Sequence, residues 1–155
     1  MLVSDIKGLL VGSDDHIKDG YNWIINKKDW DNGCNVCTKK IDLYKDIEGF
    51  HIYFYVFKTK SDKPAKDSDE FRGKIFGFAD IAGVEVDKYP EYNFRHHIKI
   101  GNLKMFTPKI RLEEFQNRLE YYGWSESQIK KFGNSLATHG LLLTERDCEY
   151  LKSQH

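Results

Sequence analysis

Residues 20 to 40 read GYNWIINKKDWDNGCNVCTKK and hold Cys34 and Cys37 at the two-residue spacing of a metal knuckle or a dithiol redox pair. A zinc site wants four ligands, usually as two such pairs, and neither a second CxxC nor an HxxxH is present. His96 and His97 are adjacent, so on a strand they point to opposite faces and do not share one ion easily. A redox pair should open a helix after a strand in a βαβ setting, and the flanking sequence lacks that pattern. Two ordinary buried or half-buried thiols are therefore expected, with neither metal nor cofactor.

Hydrolytic and phosphate-cradling motifs are missing too. There is no GxSxG, no GxxxxGK[ST], no GxGxxG opening a helix and no HExxH. The acids Asp14, Asp15, Glu113 and Glu114 and those from Asp67 to Glu70 fall on loops or helix surfaces, where a solvated face is the default. No catalytic constellation emerges.

Aromatic and basic residues remain. Lys27, Lys28, Lys39 and Lys40 border the first tryptophan-bearing segment, and Arg95, Lys99, Lys104, Lys109 and Arg111 follow later. Between residues 50 and 111 twelve bases face eight acids. Over the whole chain 24 bases balance 24 acids, so any contact with a nucleic-acid backbone must be a local patch. From the residues alone, a plain solvated surface is an equally good account of those bases.

The elements that would position these groups follow from periodicity. The 155 residues make one domain, long enough to bury a core without disulfides or a structural metal. Residues 1 to 19 carry Leu2, Ile6, Leu9 and Leu10 at helical spacing and then GSDD, which predicts a short helix and turn in front of a domain spanning 20–155. YNWII should be a strand, followed by a turn or short helix capped by Asn26.

HIYFYVF sends Ile52, Phe54 and Val56 to one side and Tyr53, Tyr55 and Phe57 to the other, as a central strand covered on both faces would. SDKPAKDSDEF reads as a hairpin loop, RGKIFGFADIAGVEV as a glycine-punctuated strand, and FRHHIKI and LKMFTPKI as two further strands, the second closed by Pro108. A helix is expected from Ile110 to Leu119. The last forty residues should be mostly helical, with Thr144 and Asp147 opening a terminal helix. The result is an α+β domain of five to six mostly antiparallel strands with peripheral helices.

No segment approaches the roughly twenty apolar residues of a membrane-spanning helix. With an odd three cysteines and an opening that lacks a signal-peptide pattern, a reducing cytoplasmic location is expected.

Several of these pieces, in their order, resemble the EVE-domain family of the PUA-like superfamily, which also includes the YTH-type readers of modified RNA bases. YNWIINKKDW resembles the family's opening, CNVCTKK its pocket-wall segment, IYFYVF its central strand and KIFGFADIAGV its glycine-marked strand. YNFRHHIKI with MFTPKI, and KKFGNSLATHGLLLTERDCEYL, resemble the later motifs, so the likeness covers about residues 20 to 152.

It implies a small, strongly bent β-barrel that binds DNA or RNA without catalysis and accepts a flipped, often modified base in an aromatic pocket. Carried over by position, it implies Asn26, Trp30, Cys37, Thr38, Tyr55 and Phe57 as ligand-binding residues. Lys28, Lys39, Lys40 and Arg95 would hold the nucleic-acid backbone. Cys37 stands where the family often has a tryptophan, which removes a stacking wall worth roughly 1–3 kcal/mol per base. The alternatives are an enzyme or enzyme accessory whose pocket holds a nucleotide-like substrate, and a protein-interaction domain with a degenerate pocket.

Overall fold

A computed structural model describes residues 5–14, 34–36, 47–64, 68–86 and 96–154. They form an α+β fold around one mixed sheet of six strands in the order β2-β5-β4-β3-β1-β6. The strands are β1 (Ile6–Ser13), β2 (Cys34–Val36), β3 (His51–Val56), β4 (Lys74–Val86), β5 (His96–Arg111) and β6 (Leu141–Thr144). Only β1 and β3 run parallel; the other neighbours are antiparallel. The helices are α1 (Leu112–Phe115), α2 (Glu126–Lys130), α3 (Phe132–His139) and α4 (Glu145–Lys152).

The expected closure into a barrel does not occur among the described residues: β2 and β6 are the two edges of an open sheet. The N-terminal helix is also corrected, because residues 6–13 are a strand lying between β3 and β6 rather than an appended element. Gly8 and Gly12 lower helix propensity there, and the apolar run is buried on both faces, with Leu9 in one core cluster and Leu10 in the other.

Gly8 also permits a close approach. A Cβ at that position would stand 2.9 Å from the Cys148 Sγ and 3.1 Å from the His51 carbonyl oxygen. The strand expected over YNWII lies outside the described residues.

β3 carries the alternation read from its sequence. Ile52, Phe54 and Val56 enter one core cluster with Phe76, Ala79 and Ile98. Tyr53 and Tyr55 enter the other with Phe106, Phe115 and Leu136, and Phe57 packs against it. Burying both faces of a central strand is what allows six consecutive large side chains without an exposed apolar patch.

FRHHIKI and LKMFTPKI do not make two strands. Residues 96–111 are one strand, and Gly101 and Asn102 only bend it, the latter at φ 55°. Pro108 lies inside it, where the register jumps from Ile75↔Ile110 to Gly77↔Met105; that bulge tolerates a residue with no N–H to give the ladder. The helix expected from 110 to 119 is a single turn, α1, and Leu119 is buried beyond its end. Further on, the positive φ of Tyr121 turns the chain, and its hydroxyl donates to the Gln116 carbonyl.

At the C-terminal end the capping box forms as expected. The Asp147 amide donates to Thr144 Oγ1 and the Thr144 amide to Asp147 Oδ2, both at 3.2 Å.

Candidate functional site

Where β3 ends, the chain runs on as Phe57, Lys58, Thr59 and Lys60, held to the end of β1 by the Phe57 amide donating to the Ser13 carbonyl at 2.9 Å. Opposite lies the junction of α2 and α3. Ser125 caps α2 reciprocally with Gln128, and the Ser135 hydroxyl donates to the Gln128 carbonyl at 2.8 Å, tying the two helices together. That junction fixes Lys130, Lys131 and Phe132 facing the β3 extension.

An open cleft of about 580 Å³ separates the two walls, with Lys58, Lys60, Lys130 and Lys131 on its sides and Asp14 at its edge. The four lysines are exposed, and none makes an ion pair among the described residues. Some bases elsewhere are paired: Lys109 with Glu70 at 3.8 Å, Arg111 with Glu114 at 3.4 Å, Arg146 with Glu120 at 3.5 Å, and Arg72 with Asp69. Four like charges against a single acid raise the local positive potential and draw anions.

Tyr55 lines the cleft and is 2% exposed. Its ring meets those of Phe57, Phe115 and Phe132 edge-on at 6.0, 6.1 and 5.7 Å. Packed this way it offers little stacking face. Its hydroxyl makes no hydrogen bond to another described residue and keeps some access to water. Burial first, and the negative charge of Glu113 second, push that hydroxyl up to about 12, so it stays a donor at neutral pH.

Phe57 is half-buried on the wall, beside Gly12. A Cβ on Gly12 would lie 2.5 Å from the Phe57 ring, so glycine is what lets the ring lie over β1. The first turn of α3 has no capping side chain, and its residues Phe132, Gly133 and Asn134 line the cleft.

Of the residues implied by the family resemblance, Tyr55 and Phe57 are thus brought to one cleft. Asn26, Trp30, Cys37, Thr38, Lys28, Lys39, Lys40 and Arg95 lie outside the described residues. Lys58, Lys60, Lys130 and Lys131 were not singled out from the sequence. The signal was a lysine pair straight after an aromatic strand end, FKTK, and another straight before an aromatic helix start, KKF.

A second polar cluster sits at the other end of β3. His51 and Asp80 are cross-strand partners, with the His51 Nε2 3.0 Å from Asp80 Oδ1, and Asn102 donates to Asp80 Oδ2 at 3.0 Å. The His51 Nδ1 is buried and has no hydrogen-bond partner among the described residues. Burial lowers the imidazole pKa, Lys152 and Lys104 lower it further, and Asp80 opposes them.

Lys152 lies over the Phe78 ring at 5.5 Å. Beneath, the Tyr53 hydroxyl faces the Cys148 thiol without a well-formed hydrogen bond. Burial pushes that thiol up to about 12, so it is protonated and a poor nucleophile.

No model of a known protein family and no curated protein matches this chain.

Proposed function

We propose that this chain is a non-catalytic nucleic-acid-binding module, PUA-like in fold, which holds the backbone at the lysine cleft and reads a base in an aromatic pocket. The observation that carries the reading is the gathering of four ammonium groups without an ion pair beside the aromatic residues Tyr55 and Phe57. Cations neutralise phosphates, and a half-buried ring gives a sugar or base something flat to pack on.

The order of sequence motifs supports a modified base as the group read, with Asn26, Trp30, Cys37 and Thr38 as the pocket. The alternative of a small nucleotide-like ligand draws support from the same cleft, whose volume falls within the range of single small-molecule sites.

Titration with single- and double-stranded DNA and RNA, with and without base methylation, at several salt concentrations tests the reading. Binding should weaken with salt. Replacing Lys58 and Lys130 together by Gln should lower the slope of log K against log salt by about 1.5. An affinity that ignores both salt and those two lysines would sink the proposal.

A further inference from the structure

We propose that the cleft between the end of β3 and the start of α3 holds a terminal phosphate monoester, on a nucleotide or at the end of a nucleic-acid strand. The Tyr55 hydroxyl and the ammonium groups of Lys58, Lys60, Lys130 and Lys131 are its donors. The inference rests on the reading of this cleft as the anion-binding face and says which phosphate it takes.

Two independent observations select a monoester over the diester of a passing backbone. The first is charge. Four lysines without ion pairs stand against Asp14 at the edge, and Glu113, the acid whose field reaches Tyr55, is itself 3.8 Å from Arg111. A diester brings one negative charge to such a site. A monoester brings about −1.5 to −2 at pH 7 and three terminal oxygens to share among donors.

The second is the placement of a donor. Tyr55 is 98% buried by the complement of its 2% exposure, lines the cleft, and keeps a protonated hydroxyl that nothing else among the described residues engages. The hydroxyl is not sealed from water, so it is a donor open to the cleft and can turn to a ligand oxygen. A terminal phosphate can give one of its three free oxygens to this hydroxyl while the others meet the lysines, whereas a diester has only two. The uncapped first turn of α3 adds a favourable dipole on the same side.

The test compares otherwise identical single-stranded oligonucleotides carrying a 5′-phosphate, a 3′-phosphate or hydroxyls at both ends. A nucleoside monophosphate serves as competitor and as a ligand in its own right. One phosphorylated form should bind about ten-fold more tightly than the hydroxyl form, the equivalent of one charge-assisted hydrogen bond. That preference should shrink to about two- to three-fold in Tyr55→Phe, since the charge term on the lysines remains, and the variant's unfolding temperature should stay close to the parent's because the lost oxygen has no partner among the described residues. It should also shrink below about pH 6, where the monoester gains a proton.

Competition by the mononucleotide would identify a free nucleotide as the source, and its failure to compete would identify a strand end; either supports the inference. Equal, salt-dependent binding of all three oligonucleotides overturns the inference and leaves the nucleic-acid reading standing. Binding of the mononucleotide alone, weakened in Tyr55→Phe, keeps the phosphate site and overturns the nucleic-acid reading. No binding of any probe overturns both.

Discussion

The His51 imidazole and the Asp80 carboxylate meet at 3.0 Å across β3 and β4, and Asn102 of β5 holds the carboxylate's second oxygen. This contact joins three strands at one end of the sheet. It leaves the imidazole partly buried between an acid and two lysines, and the balance lowers its pKa below 6.5.

The pH dependence follows from that direction. Between 6.5 and the lower folded value the unfolded chain binds the proton more readily than the folded one, so stability rises with pH in this window. The contribution is complete above the unfolded value and is lost as pH falls through 6.5 towards the folded value. Urea unfolding at pH 7.5 and 5.5 should show lower stability at the acid end, and His51→Gln should flatten the difference. A difference that persists unchanged in His51→Gln would assign it to other groups.

Asp147 is 1% exposed and its carboxylate accepts from two backbone amides, those of Thr144 and Glu120 at 3.2 and 3.0 Å, while its own amide donates to the Thr144 hydroxyl to close the box. Asp147→Asn should cost about 1–3 kcal/mol, since an amide NH2 replaces one acceptor and leaves a backbone donor unmatched. Thr144→Ala, which removes only the cap, should cost about 1 kcal/mol. Chemical denaturation of both variants measures the order.

Gly77 and Gly83 lie on the same strand and should behave oppositely. A Cβ at Gly77 would stand 2.5 Å from the Lys104 carbonyl oxygen, a backbone atom that cannot turn aside, whereas a Cβ at Gly83 meets nothing within 4 Å. Gly77→Ala is expected to destabilise by about 1–3 kcal/mol. Gly83→Ala should be close to neutral, and matching midpoints for the two would discount the close approach of β5.

Gly12 links the sheet to the cleft. Gly12→Ala drives the Phe57 ring off its seat over β1, since the new Cβ would fall 2.5 Å from it. Oligonucleotide affinity should drop several-fold, on the scale of a weakened aromatic contact of roughly 1 kcal/mol, while circular dichroism still reports the sheet. Unchanged affinity would remove Phe57 from the binding surface.

β3 was legible because alternation survives burial on both faces, and the capping box was legible because Thr144 and Asp147 lie three apart in a local motif. β1 was not, since Ile6, Leu9 and Leu10 satisfy a helical spacing equally well in so short a segment; its partners, β3 and β6, are decided by tertiary pairing. Gly101, Asn102 and Pro108 read as breaks in a local scan, yet cross-strand pairing with β4 carries β5 through all three. The cleft was half legible. Tyr55 and Phe57 were marked by their strand, but Lys130 and Lys131 reach them only through the return of α2 and α3 to the far side, which no local pattern encodes.

The pairing of Ile6 with Thr144 also bears on the order in which the molecule assembles. β1 finds β3 across an intervening stretch of chain, and its second edge waits for β6, far later in the sequence. Such non-local pairings close slowly, typically in milliseconds to seconds for sheet-rich domains. During synthesis the apolar edge of β1 is therefore a stretch that a chaperone or a neighbouring nascent chain can occupy before its own partner has been made.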